Sequence, residues 1–266
     1  MRKTAFRENV TIITGASFGI GRELALQLAD QGAWLALAAR NAEKLAEVST
    51  QCNQRGGRVI AISTDVADQS NCQSLVESTV KEYGRIDTLI NNAGIGMAAR
   101  FDELKDLTIF EKVIQVNFLG SVYCTFYALP YLKQTKGRLV GVCSQRGLFP
   151  SATADGYGPS KHAMVGFFDS LRIELAGSGV SVTMIFPEWV STGITSRALK
   201  TDGTPTGKIS LHERNAMTVE TCARVIIQAA ETRKREVVMT LLSKLGLWFK
   251  LIVPGVVDQI VRKKTE

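Results

Sequence analysis

Two residues of this chain, Tyr157 and Lys161, have types and spacing that suggest chemistry at once: they bracket the stretch "YGPSK". On a helix, positions i and i+4 share a face, so the phenol and the ammonium would project together. A cation beside a phenol favours the phenolate and draws a group that titrates near ~10 toward the range of proton exchange at neutral pH. Such a tyrosine is a candidate general acid or base. A Y-x-x-x-K match alone is common, and its plainer reading is an exposed helix start that happens to carry both residues.

A second stretch, "TGASFGIGR" from Thr14 to Arg22, follows an apolar run and opens a helical pattern. Glycines let a backbone turn sharply and approach a pyrophosphate, while a helix N-terminus offers unpaired N–H groups and a positive dipole end. The spacing of Gly15, Gly19 and Gly21 is G-x-x-x-G-x-G, and the Lys-Ser/Thr ending of a P-loop is missing. The alternative is a tight strand-to-helix turn. The second apolar run ends in Ala38, Ala39 and Arg40. No carboxylate stands there for a ribose diol, whereas a guanidinium pairs well with a phosphate, so the expected cofactor is NADP(H).

The elements that must position these residues are legible from periodicity. Short aliphatic runs at 10–14, 34–39, 59–64, 87–91, 138–143, 181–186 and 236–240 alternate with longer helical patterns. Near-continuous apolar strands alternating with helices predict one α/β domain, doubly wound, with a parallel seven-stranded sheet covered on both faces. The predicted oxidoreductase domain spans residues 1–240. Its Thr-, Ser- and Gly-rich interval 191–217 reads as a substrate lid, and residues 241–266 read as an amphipathic extension.

Together these motifs resemble the short-chain dehydrogenases/reductases. "TGASFGIG" is similar to that family's cofactor loop, "TDV" (64–66) to its adenine-contacting motif with Asp65, "NNAG" (91–94) to its post-strand motif, and "YGPSK" to its Tyr–Lys pair. The resemblance implies a Rossmann-type fold. It also implies a hydride-transfer reaction between a ketone or aldehyde and an alcohol, with a catalytic set of Ser144, Tyr157, Lys161 and Asn117. In that scheme Tyr157 exchanges the proton, Ser144 holds the reacting oxygen, Lys161 lowers the tyrosine's pKa and grips the nicotinamide ribose, and Asn117 holds a relay water. The implied cofactor contacts are Gly15, Ser17, Gly19, Ile20, Gly21, Arg40, Asp65, Val66, Asn92, Ala93, Gly94, Tyr157, Lys161, Pro187, Val190 and Thr192.

The chain departs from the family twice. Pro159 biases Gly158 away from helical geometry, so the helix is expected to begin at Pro159 with Tyr157 just before it. "PEWVST" (187–192) carries Glu188 where the family usually has glycine. Glu188 and Trp189 could shape the substrate site or merely cover it.

Composition excludes other classes. The five cysteines are scattered and odd in number, without a C-x-x-C pair, which fits neither a disulfide framework nor a zinc site and suits a reducing cytoplasm. The N-terminus has no secretory h-region, so neither export nor an N-terminal anchor is expected. The histidines are His162 and His212 alone, and "GVCSQRG" lacks a nucleophile elbow, which disfavours a hydrolase. The net charge of +7 is concentrated in residues 197–266 without interleaved aromatic stacking residues, so no nucleic-acid partner is expected.

In the tail, Leu241, Leu245, Trp248, Phe249 and Ile252 share one helical face opposite Ser243, Gly246 and Lys250, and Arg262, Lys263 and Lys264 follow. That pattern suits an interfacial helix at a membrane surface, and equally a subunit interface or a cap on the sheet. The tail resembles those of lipid- and steroid-handling family members, which implies a lipophilic carbonyl substrate. A homo-oligomer is expected. The competing functions are a member whose hydride step serves epimerisation or dehydration, and a cofactor-binding sensor or membrane-docking protein with vestigial turnover.

Overall fold

A computed structural model describes residues 5–150, 156–210 and 216–263. His212, positions 211–215 of the interval expected to be a lid, Lys264 and the side chains of Leu241 and Lys263 lie outside the described residues.

The aliphatic runs form strands β1 (Val10–Thr14), β2 (Trp34–Ala39), β3 (Arg58–Ser63), β4 (Thr88–Asn91), β5 (Arg138–Val142), β6 (Ser181–Phe186) and β7 (Glu236–Val238). They make one parallel sheet ordered β3-β2-β1-β4-β5-β6-β7. Parallel neighbours require crossovers, here by helices α1 (Gly19–Ala29), α2 (Ala42–Gln54), α3 (Gln69–Tyr83), α4 (Thr108–Ile114), α5 (Gly120–Thr135), α6 (Tyr157–Glu174) and α7 (Val219–Glu231). Successive residues of β1 serve opposite faces. Ile13 packs with Leu24 and Leu28 of α1 and Ile226 of α7, while Ile12 joins Leu75 of α3, Cys124 of α5 and Phe168 of α6. Burial on both faces explains why the strands read as continuous apolar runs.

The order reverses between β1 and β4: β2 and β3 lie on one side of β1, and β4 to β7 lie on the other. Loops leaving the carboxyl ends of β1 and β4 therefore diverge and open a crevice, the usual ligand site of such sheets.

Helices α4 and α5 are joined by a π-helical turn, Gln115–Leu119, that contains Asn117. Such turns break the regular ladder and often sit at functional sites. Helix α6 begins at Tyr157 itself, which corrects the expected start at Pro159. A proline is tolerated in a first helical turn because its missing N–H has no intrahelical partner there. Gly158, lacking a Cβ, relieves much of the clash with the proline ring.

The tail folds as α8 (Leu241–Ile252) and α9 (Pro254–Lys263). Its polar face turns inward. Ser243 is buried and bonds Gln145 and Thr240 (2.6 Å), Gly246 approaches Phe149, and Lys250 Nζ donates to the Leu148 carbonyl at 2.5 Å. The opposite face stays exposed, with Trp248, Phe249 and Ile252 at 68, 59 and 74%. Among the described residues no helix is long and apolar enough to cross a membrane. All five cysteines are buried and free.

Candidate active site

The floor of the crevice is set where β1 meets β4. Thr14 Oγ accepts the N–H groups of Asn92 and Ala93, each at 3.0 Å, and Asn92 Nδ2 donates to the Thr14 carbonyl at 2.9 Å. The "NNAG" segment thus braces the glycine loop as well as facing the crevice. Gly15 turns the chain at φ +67°, and a Cβ there would meet Ala93 Cα at 2.8 Å. A Cβ on Gly21 would collide with the Gly15 carbonyl and Asn92 Nδ2. Both positions require glycine. The N-cap of α1 is Phe18, which makes no side-chain capping bond. The first turn is thus left without a side-chain cap from its N-cap residue, as suits an anion-binding helix start.

A cavity of about 380 Å³ lies over this loop. Of the residues implied as cofactor contacts, Gly15, Ser17, Gly19, Ile20, Arg40, Asp65, Val66, Asn92, Ala93, Gly94, Tyr157, Lys161 and Thr192 line it. Gly21 does not line it and sits beneath the loop, packed on Gly15. Pro187 and Val190 line a second cavity of about 580 Å³, together with Ser144, Gln145, Glu188, Trp189, Met97 and Ile209. The two cavities share Ile20, Gly96, Cys143, Tyr157, Thr192 and Ile194. Glu188 and Trp189 are thus part of the second cavity's wall, with the Arg146 guanidinium 5.7 Å from the Trp189 ring.

Tyr157 stands at the junction, half-buried. Burial pushes its phenol up to about 12, against the opposing hydrogen bond of Ser144 and the charge of Arg146. Ser144, just past β5, accepts the Arg146 N–H at 3.2 Å. Lys161 follows one turn after Tyr157 on α6. Lys161 Nζ points to the Val142 carbonyl at 3.1 Å and to Met164 Sδ at 3.4 Å, and it lies 5.8 Å from the Tyr157 ring centroid. A strand-end carbonyl has captured the ammonium, whose own pKa burial lowers. The Arg146 guanidinium also draws the phenol downward, as the smallest of these influences.

Asn117 lines neither cavity. Its Oδ1 accepts the Ile95 N–H at 2.8 Å, and Nδ2 donates to the Ile95 carbonyl and to Ser160 Oγ, both at 3.0 Å. Ser160 in turn donates to the Tyr157 carbonyl at 2.7 Å. The side chain ties the Ile95 backbone to the start of α6. Ser160, a small hydroxyl three residues after Tyr157, links Asn117 to the first turn of α6, a contact that motif spacing does not announce. Among the described residues no cluster of His, Cys, Asp or Glu could hold a metal ion.

A doubly wound sheet, a braced glycine turn, and Ser144 just past β5 beside Tyr157 and Lys161 of α6 define a nucleotide-fold oxidoreductase. The chain matches the short chain dehydrogenase family over residues 9–203 and belongs to it. Among its relatives, 11-beta-hydroxysteroid dehydrogenase A of Sesamum indicum is 33% identical over 269 residues, 97% of this chain and 77% of that protein. 11-beta-hydroxysteroid dehydrogenase 1A of Arabidopsis thaliana is 39% identical over 197 residues, 72% of this chain and 56% of that protein. An alcohol dehydrogenase from the archaeon Thermococcus sibiricus, solved with 5-hydroxy-NADP, superimposes with a TM-score of 0.75 at 25% identity, covering 86% of this chain and 94% of its own. A short-chain dehydrogenase/reductase from Burkholderia phymatum, solved with NAD, shares the fold at a TM-score of 0.84 and 23% identity, over 96% of each chain.

Proposed function

We propose that this oxidoreductase interconverts a lipophilic ketone or aldehyde and its alcohol, with NADP(H) as cofactor and Tyr157 as the acid/base. The observation that carries the reading is the position of Tyr157 where the two cavities meet, with Ser144 in the wall of the second. The crevice residues fit a dinucleotide: two positions admit only glycine, the start of α1 has no side-chain cap, and Arg40 has no ion-pair partner among the described residues. The names of the relatives, and the NADP derivative in the archaeal neighbour, favour a hydroxysteroid-like substrate and the phosphorylated cofactor.

Bound NADPH supplies the hydride. Tyr157, whose proton is held tightly, donates it to the carbonyl oxygen that Ser144 orients, and takes it back in the alcohol direction. Lys161, Val190, Thr192 and Pro187 hold the nicotinamide side, with Gly94 and Asn92 on the crevice floor. Asp65 and Val66 flank the adenine side, and Arg40 pairs with the 2′-phosphate. The second cavity, walled by Met97, Trp189 and Ile209 among others, takes the apolar body of the substrate.

In this reading residues 1–240 are the oxidoreductase domain, 191–217 its lid and 241–266 an extension. The outward apolar face of α8, beside basic residues such as Lys244 and Arg262, favours peripheral contact with an anionic lipid surface. Exposed Phe126 on α5 and Ile173 on α6 favour a homo-oligomer, and the free buried cysteines suit a reducing cytoplasm.

The test is turnover of a panel of ketosteroids and smaller carbonyls with NADPH and NADH, for the wild type and Arg40→Asp. The expected result is turnover of apolar ketones with NADPH, and a loss in Arg40→Asp far greater for NADPH than for NADH. Equal losses with both cofactors would remove Arg40 from phosphate recognition. Cofactor binding without turnover of any carbonyl would favour a vestigial sensor.

A further inference from the structure

Phe18 is an unusual N-cap. It is 37% exposed, caps nothing, and carries two cations over its ring: Lys44 Nζ at 4.2 Å, from the first turn of α2, and the Arg197 guanidinium at 4.8 Å, from the segment 191–210. Arg197 also donates to the Thr192 carbonyl at 2.9 Å. Thr192 packs on the glycine loop so closely that a Cβ on Gly19 would lie 3.1 Å from its own Cβ. A single guanidinium thus touches the aromatic at the mouth of the loop and the backbone at the base of the lid, and it lines the same cavity as Gly15, Ser17 and Gly19.

The charge balance there is lopsided. Arg40, Lys112, Lys161 and Arg197 line the cavity, against Asp65 as the carboxylate among its described lining residues. Neither Lys44 nor Arg197 has an ion-pair partner among the described residues. Attraction of an exposed cation to an aromatic ring is worth only about 0.5–1 kcal/mol. Gathering two like charges at one ring opposes part of that gain. An anion at the rim reverses the balance, and a phosphate oxygen is the acceptor that a guanidinium fork matches best.

We infer that Arg197 is a phosphate-binding residue of the cofactor crevice, held by Phe18, so that the segment around Thr192 and Arg197 and the glycine loop close together on the dinucleotide. The inference rests on the cofactor reading above and adds to it a recognition residue outside the glycine loop, the tyrosine motif and Arg40. The phosphate is either the pyrophosphate, common to NADH and NADPH, or the 2′-phosphate of NADPH alone.

The experiment measures dissociation constants of NADPH and NADH by the change in dinucleotide fluorescence on binding, at low and high salt. Wild type, Arg197→Met, Arg197→Lys and Phe18→Leu are compared. A second readout is limited trypsin cleavage after Lys200 and Lys208, with and without dinucleotide. Arg197 is exposed, so thermal unfolding of the ligand-free variants should match the wild type and serves as the folding control. Arg197→Met is expected to weaken binding about tenfold, the value of one charge-assisted hydrogen bond, and to flatten its salt dependence. Arg197→Lys should recover part of the loss. Phe18→Leu should weaken binding less and reduce protection of the lid from trypsin. Equal weakening of both dinucleotides assigns the pyrophosphate, and weakening of NADPH alone assigns the 2′-phosphate.

Binding within about twofold of wild type for both dinucleotides in Arg197→Met, with undiminished protection of the lid, would overturn the inference while leaving the cofactor reading intact. A wild-type protein that binds neither dinucleotide would overturn both.

Discussion

Replacing Asn117 with alanine tests how the site is held together. The side chain is fully buried and makes three hydrogen bonds, at 2.8 Å to the Ile95 N–H and at 3.0 Å to the Ile95 carbonyl and to Ser160 Oγ. Each bond is worth a net ~1 kcal/mol, and a stranded N–H adds about 1–3 kcal/mol, toward the low end because Ile95 is only half-buried. The expected cost is therefore about 4 kcal/mol, a large share of the roughly 5–15 kcal/mol that holds a domain together. Urea unfolding of the variant, compared by midpoint and slope, measures it. Turnover should fall further than the residual folded fraction explains, because the 94–95 backbone and Ser160 lose their tether beside Tyr157. A destabilisation below about 1 kcal/mol with unchanged turnover would refute this account of Asn117.

Lys161→Met should leave stability unchanged or raise it while turnover collapses, since the variant removes a buried ammonium that burial disfavours; a marked drop in unfolding midpoint would count against that reasoning. The phenol of Tyr157 is held at about 12, above its ordinary value near 10, so it stays protonated through the neutral range. Ketone reduction should therefore be flat from pH 6 to 9, while alcohol oxidation, which needs the phenolate, should climb with pH; a bell-shaped reduction profile centred in that range would contradict the assignment. For the tail, co-sedimentation with anionic vesicles should be strong at low salt, weaker at high salt and lost on truncation after Thr240. A full chain that stays in the supernatant at low salt excludes the lipid surface, and a truncation that changes only the oligomeric mass makes α8 a subunit contact.

Much of the fold was legible because a parallel strand buried on both faces leaves a run such as "WLALAA" with no polar interruption, and the strands end within two residues of those runs. The glycine loop was legible for a related reason: close backbone approach at Gly15 and Gly21 admits one residue type. The rest depended on partners distant in sequence. Periodicity correctly grouped Leu245, Trp248, Phe249 and Ile252, yet the usual rule would turn that face inward. Here the inner surface offered the Leu148 carbonyl and the Gln145 amide, so Lys250 and Ser243 face the protein instead. The helical spacing of Tyr157 and Lys161 was read correctly, but spacing could not reveal that the Val142 carbonyl would take the ammonium. Nor could a helical pattern around Asn117 announce a π turn, whose residues pack against α6.

The most direct test of the central claim is Tyr157→Phe, which removes one oxygen and with it the transferable proton. Dinucleotide affinity and ketone reduction are measured on the same preparation. Affinity for NADPH should stay within about threefold of wild type while reduction falls by at least about a hundredfold, the range expected for loss of a general acid. Turnover within about tenfold of wild type would show that Tyr157 is not the proton donor.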